Sequence, residues 1–84
     1  MFNLELSPDA FKFLKKSTKE VVSRVMNKID KLREEPFPSD VKRIVNRKEK
    51  IFRVRVGDYR IQYIVDQTKN TIIISQIAKR ARAY

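Results

Sequence analysis

The chain has no cysteine and no histidine. Without cysteine there is neither a disulfide framework nor a thiolate metal site. Without histidine, the usual general base and the commonest metal ligand are both missing. The carboxylates that remain are scattered singly, with no spacing that would converge on a cation. Neither a metal nor a cofactor is therefore expected. Long apolar runs are also missing, since nothing approaches the roughly 18 residues of a membrane span. The opening residues, Met-Phe-Asn-Leu-Glu-Leu-Ser-Pro, lack the basic start and long apolar centre of a secretory signal. These absences lead to the expectation of a cytoplasmic protein with no membrane partner.

What is present is charge. The 84 residues suffice for one small domain, 1–84, able to bury about 60–65% of its unfolded surface. The net charge is +10, and it is unevenly spread. Residues 1–40 hold eight Lys/Arg against seven Asp/Glu, whereas residues 41–84 hold twelve against three. A basic half of this kind points to nucleic acid or an acidic protein as partner.

Glycine occurs once, at Gly57, followed by Asp58. Alternating segments flank this pair over Ile51–Tyr63, and the pattern predicts a hairpin with a two-residue turn. Such a turn sets Val56 opposite Tyr59, Arg55 opposite Arg60, Val54 opposite Ile61 and Arg53 opposite Gln62. Side chains alternate between faces, so Phe52, Val54, Val56, Tyr59, Ile61 and Tyr63 share one side. Arg53, Arg55, Arg60 and Gln62 share the other. Like charges facing each other across a strand pair destabilise it, and three guanidiniums on one patch suit a polyanion.

In chain order, residues 2–6 read as a short strand. Ser7 caps a helix that opens with Pro8 and Asp9 and runs to about Lys16, turning Ala10, Phe11 and Leu14 to a core. Ser17 or Thr18 separates it from a second helix, and Ser17 with Glu20 fits a capping box. Val21, Val22, Val25, Met26, Ile29 and Leu32 recur at helical spacing and are most simply core. Pro36 and Pro38 end that helix. Val41, Ile44 and Val45 suit a short strand, and residues 46–50 a charged loop. The hairpin continues to Asp66, a turn surrounds Gln67–Asn70, and a last strand spans Thr71–Ala78. Its Ile72, Ile73 and Ile74 put apolar side chains on both faces, as an interior strand requires. The fold class is α+β, a strand and a helical hairpin followed by antiparallel strands, with the helices on one face of a single twisted sheet.

The short first strand, the helical hairpin, Phe52-Arg53-Val54-Arg55-Val56-Gly57-Asp58-Tyr59-Arg60-Ile61-Gln62-Tyr63, and the terminal Lys79-Arg80-Ala81-Arg82-Ala83-Tyr84 together resemble the RelE/ParE superfamily of toxin–antitoxin systems. The resemblance covers essentially the whole chain. On its RelE side it implies an endoribonuclease that cuts messenger RNA in the ribosomal decoding site and is neutralised by an acidic RelB-like antitoxin. Operator DNA would be met only through the toxin–antitoxin complex. By resemblance, Arg53 and Arg55 match a basic pair before the turn, and Arg60 matches a phosphate-stabilising arginine after it. Arg80 matches a basic residue near the leaving group, and Tyr84 an aromatic that stacks on a base, with Arg82 beside them on the substrate. On its ParE side, the resemblance implies an inhibitor of DNA gyrase that acts by binding a protein.

Cleavage without a metal usually proceeds by attack of the ribose 2′-hydroxyl on the adjacent phosphate, and arginines fixed on strands suit the charge that develops there. Some family members carry lysine where this chain has Arg53 and Arg55. Arginine stays protonated and cannot serve as the base. Lys79 is the candidate.

Overall fold

Two helices and five strands follow one another as β1 (Asn3–Leu6), α1 (Pro8–Lys16), α2 (Lys19–Glu34), β2 (Lys42–Ile44), β3 (Ile51–Val56), β4 (Tyr59–Asp66) and β5 (Thr71–Lys79). The computed structural model describes residues 1–44 and 50–79. Val45 and residues 46–49, expected as strand end and charged loop, lie outside the described residues.

The helix boundaries follow local chemistry. The Ser7 hydroxyl accepts from the Ala10 amide at 3.1 Å, Pro8 occupies the first turn, and Lys15 and Lys16 sit at the negative end of the dipole. The proposed capping box at Ser17 does not form. Ser17 closes α1 instead, its hydroxyl donating to the Phe13 carbonyl at 2.7 Å. Thr18 caps α2 by accepting from the Val21 amide at 3.3 Å. At the far end of α2, the Glu35 amide donates to the Lys31 carbonyl, and Pro36 then prevents continuation. A second correction concerns α1. Phe11 is 58% exposed, while Ala10 is buried with Phe13 and Leu14 packed beside it. Positions i, i+3 and i+4 form the core-facing stripe, and Phe11 falls about 100° from it.

The sheet order is β1-β5-β4-β3-β2. Neighbours are antiparallel except β1 and β5, which run parallel, so the sheet is mixed. The helical hairpin supplies the crossover that a parallel pair needs. β5 lies between β1 and β4, which accounts for its three consecutive isoleucines. The β3–β4 register is the one expected, from Val56 opposite Tyr59 to Phe52 opposite Tyr63.

β5 contains one irregularity. Gln62 pairs with Gln76, but Tyr63 pairs with Ile74, leaving Ser75 as an extra residue. A bulge of this kind reverses which face later side chains occupy. Ile72 and Ile74 face the helices before it, and Ile77 does so after it, all three buried. The bulge is held on both sides. The Ser7 hydroxyl donates to the Ser75 carbonyl at 2.8 Å, and the Ser75 hydroxyl donates to the Gln62 carbonyl at 3.2 Å.

Between helices and sheet lies one core of Ala10, Val25, Ile29, Leu32, Val54, Ile61, Tyr63, Ile72, Ile74 and Ile77. Each fully buried aliphatic side chain contributes about 1.5–3 kcal/mol. Tyr63 is the largest member, with no exposed surface, and its hydroxyl donates to the Pro36 carbonyl at 2.6 Å. That bond fastens the segment after α2 to the sheet. Burial pushes the Tyr63 phenol up from its ordinary value of 10.0, and the negative charge of Asp40 adds to the shift.

Tyr63→Phe should cost about 1–2 kcal/mol at neutral pH. Because the folded phenol titrates above the unfolded one, its stabilisation is complete below about pH 10 and declines as pH rises further. Urea unfolding between neutral and alkaline pH should show a steeper alkaline loss in the parent than in Tyr63→Phe.

Candidate functional site

The face of the sheet turned away from the helices carries the arginines. Arg55 on β3 stands directly opposite Arg60 on β4. Arg53 stands opposite Gln62 on one side and Lys42 of β2 on the other. Directly opposed residues have Cβ atoms about 4.5–5.5 Å apart, so like charges there work against the pairing. The body of the sheet holds them in place regardless, because the alternate residues Val54, Ile61 and Tyr63 are buried under the helices.

Arg60 is the most constrained of the group. Among the described residues, its Nε is buried and has no hydrogen-bond partner. A buried donor left unsatisfied costs about 1–3 kcal/mol. On its β5 side Arg60 pairs with Ala78, a short side chain. The turn that joins the two arginine strands adopts a left-handed conformation at Gly57, φ 57°, which a residue with a Cβ rarely takes. Arg24 of α2 reaches over it, since a Cβ at Gly57 would lie 3.8 Å from its Nη2.

The expected site residues do not all converge. Arg53, Arg55 and Arg60 share the open face. Lys79 pairs with Tyr59, and the Ser75 bulge gives both to the helix-facing side. Tyr59 meets Phe13 of α1 edge to face there, with ring centroids 5.8 Å apart. Lys79 is thus set apart from the guanidiniums. Arg80, Arg82 and Tyr84 lie outside the described residues. Lys42 joins the open face without having been expected there. The connection before β3 fixes no register, so nothing local in the sequence aligns Lys42 with Arg53.

These groups suit an anion and little else. Among the described residues, no cluster of three or more His, Cys, Asp or Glu could hold a metal ion. No described helix is long and apolar enough to cross a membrane. A phosphate would neutralise the Arg55–Arg60 opposition. Arg60→Met removes both the unsatisfied donor and the repulsion. It should stabilise the protein by about 1 kcal/mol, read as a raised urea midpoint with an unchanged slope.

Comparison with known proteins finds relatives of the whole chain. The family model described as the ParE toxin of type II toxin–antitoxin systems, parDE, matches residues 4–84. A Methanocaldococcus jannaschii protein named as a toxin, RelE1, is 34% identical over 86 residues, covering 99% of this chain and 94% of that one. The archaeal RelE–RelB complex from Pyrococcus horikoshii contains a chain that superposes with a TM-score of 0.83 at 28% identity, covering 98% of both. The isolated Escherichia coli RelE toxin gives a TM-score of 0.85 at 18% identity, over 99% of this chain and 88% of that one, a likeness of fold. The chain belongs to the RelE/ParE family of toxins of type II toxin–antitoxin systems.

Proposed function

We propose that the protein is a ribosome-dependent endoribonuclease that cleaves messenger RNA in the decoding site and so inhibits translation. The observation that carries this reading is the opposed pair Arg55–Arg60, with the Arg60 Nε buried and unpartnered among the described residues. In the reaction, the 2′-oxygen forms a bond to phosphorus while the bond to the 5′-oxygen breaks. One proton leaves the 2′-hydroxyl and one is delivered to the 5′-oxygen, giving a cyclic phosphate and a free 5′-hydroxyl. Arg55 and Arg60 stabilise the charge on the nonbridging oxygens, in a place already organised before the substrate arrives. Arg53 holds the neighbouring backbone. Arg80 serves the leaving oxygen, with Arg82 and Tyr84 on the substrate, the tyrosine stacking on a base for about 1–3 kcal/mol. The chemistry needs neither a metal nor a cofactor.

The regulating partner in this reading is an acidic RelB-like antitoxin. Solved structures of a Pyrococcus horikoshii RelE–RelB complex and of the Mycobacterium tuberculosis toxin–antitoxin complex RelBE2 support a partner of this kind. A chain of net charge +10 gives an acidic partner a fast, salt-sensitive encounter. Operator DNA is contacted through that complex, mainly by the antitoxin. A cytoplasmic location follows from the ribosomal target.

One observation favours a second reading, inhibition of DNA gyrase by protein binding: the matching family model is that of the ParE toxin. Mapping messenger 5′ ends after induction in cells separates the two. Cuts at codon positions on translated messages support the nuclease. Intact messages with accumulated gyrase–DNA breaks would replace it with the gyrase inhibitor.

Arg60→Ala should abolish toxicity while circular dichroism remains that of the parent. Retained toxicity in the folded variant removes the cradle from the mechanism. Lys79 remains the candidate proton acceptor, although its register on β5 counts against it. A Lys79→Ala toxin that cleaves at the parental rate would assign that proton to the ribosome, the substrate or water.

A further inference from the structure

Beside the Arg55–Arg60 pair, at the β2 edge of the sheet, lies a cavity of about 190 Å³ lined by Asp40, Lys42, Arg53, Val54 and Arg55. Three of its five lining residues are cations. Its one carboxylate is already engaged, since Lys28 of α2 donates to Asp40 Oδ2 at 2.9 Å. The hydrogen bond from Lys28 holds the Asp40 carboxyl below its ordinary value, so it stays ionised and paired. The Asp40–Lys28 pair is neutral as a unit, and Lys42 and Arg53 add positive charge to the cavity.

We propose that Lys42 and Arg53 form a second phosphate-binding subsite, which takes the backbone of single-stranded RNA next to the phosphate held by Arg55 and Arg60. The subsite rests on the RNA-cleaving function proposed above. Lys42 is directly across from Arg53, and Arg53 is two residues along β3 from Arg55. Neighbouring strands are about 4.8 Å apart and each residue advances about 3.3 Å. The Cα atoms of Lys42 and Arg60 are therefore roughly 12 Å apart on a diagonal across three strands. That separation suits successive phosphates rather than one. The strand of RNA runs across the sheet, from Arg60 on β4 over Arg55 and Arg53 on β3 to Lys42 on β2. Lys42 is exposed on the short edge strand, and ligand contact is a role its chemistry fits. It acts as a binding residue and touches no reacting atom.

The test is anisotropy of a short labelled single-stranded RNA, titrated with purified protein at several salt concentrations. The variants are Lys42→Gln, Lys42→Arg and, as a control of equal charge change, Lys69→Gln in the turn before β5. Lys42→Gln should weaken binding several-fold. It should also flatten the slope of log affinity against log salt by about 0.7, the loss of one phosphate contact on a single strand. Lys42→Arg should restore both. Equal behaviour of Lys42→Gln and Lys69→Gln overturns the subsite and leaves the cradle intact. Failure of the parent protein to bind RNA at low salt overturns the subsite, while the ribosome-dependent nuclease reading is decided separately by the mapped messenger 5′ ends.

Discussion

The arrangement of this molecule depends on a single hydroxyl, that of Ser7. It accepts from the Ala10 amide and so starts α1, and it donates to the carbonyl of Ser75, the extra residue in β5. One side chain thereby ties the first helix to the irregularity in the central part of the sheet. The bulge shifts the phase of β5, bringing Ile77 into the core beside Ile61 and giving Gln76 and Ala78 to the open face. Without that shift, Ile77 would face away from the helices and would pair with Arg60 in place of Ala78. The anion-facing surface and the core are built by the same local device.

Much of this was legible in the sequence where a short-range rule had one outcome. A two-residue turn at Gly57-Asp58 permits one register, so the faces of the hairpin and the meeting of Arg55 with Arg60 could be read directly. Pro8 and Pro36 fixed the helix limits for equally local reasons. What could not be read depended on distant partners. The parallel pairing of β1 with β5 joins residues 68 apart, such as Asn3 and Thr71. Ser17 and Thr18 both suit a cap, and only the path of the chain between the helices decides between them. The alignment of Lys42 with Arg53 likewise needs the tertiary fold.

One signal was present in the sequence but easy to miss. The buried isoleucines of β5 fall at 72, 74 and 77, a spacing of two and then three. A strict strand keeps a spacing of two throughout, and the change to three marks the bulge at Ser75. Counting across it reverses the face of Lys79, which an unbroken alternation would have set beside the arginines. The separation of Lys79 from the guanidinium cluster was thus encoded, though only in the placement of apolar neighbours.

The alternation in the hairpin has a further consequence for how such a gene can change. On β3 the even positions are core and the odd ones open, and the two-residue turn exchanges the parity on β4. Substitutions that would unpack the body therefore fall on one set of codons, and substitutions of the arginines fall on the interleaved set. A lineage can lose Arg53, Arg55 or Arg60 without losing the sheet, and the loss of Arg60 even relieves a buried donor. Each of those three positions can thus change while the helix-facing side of the hairpin stays as it is.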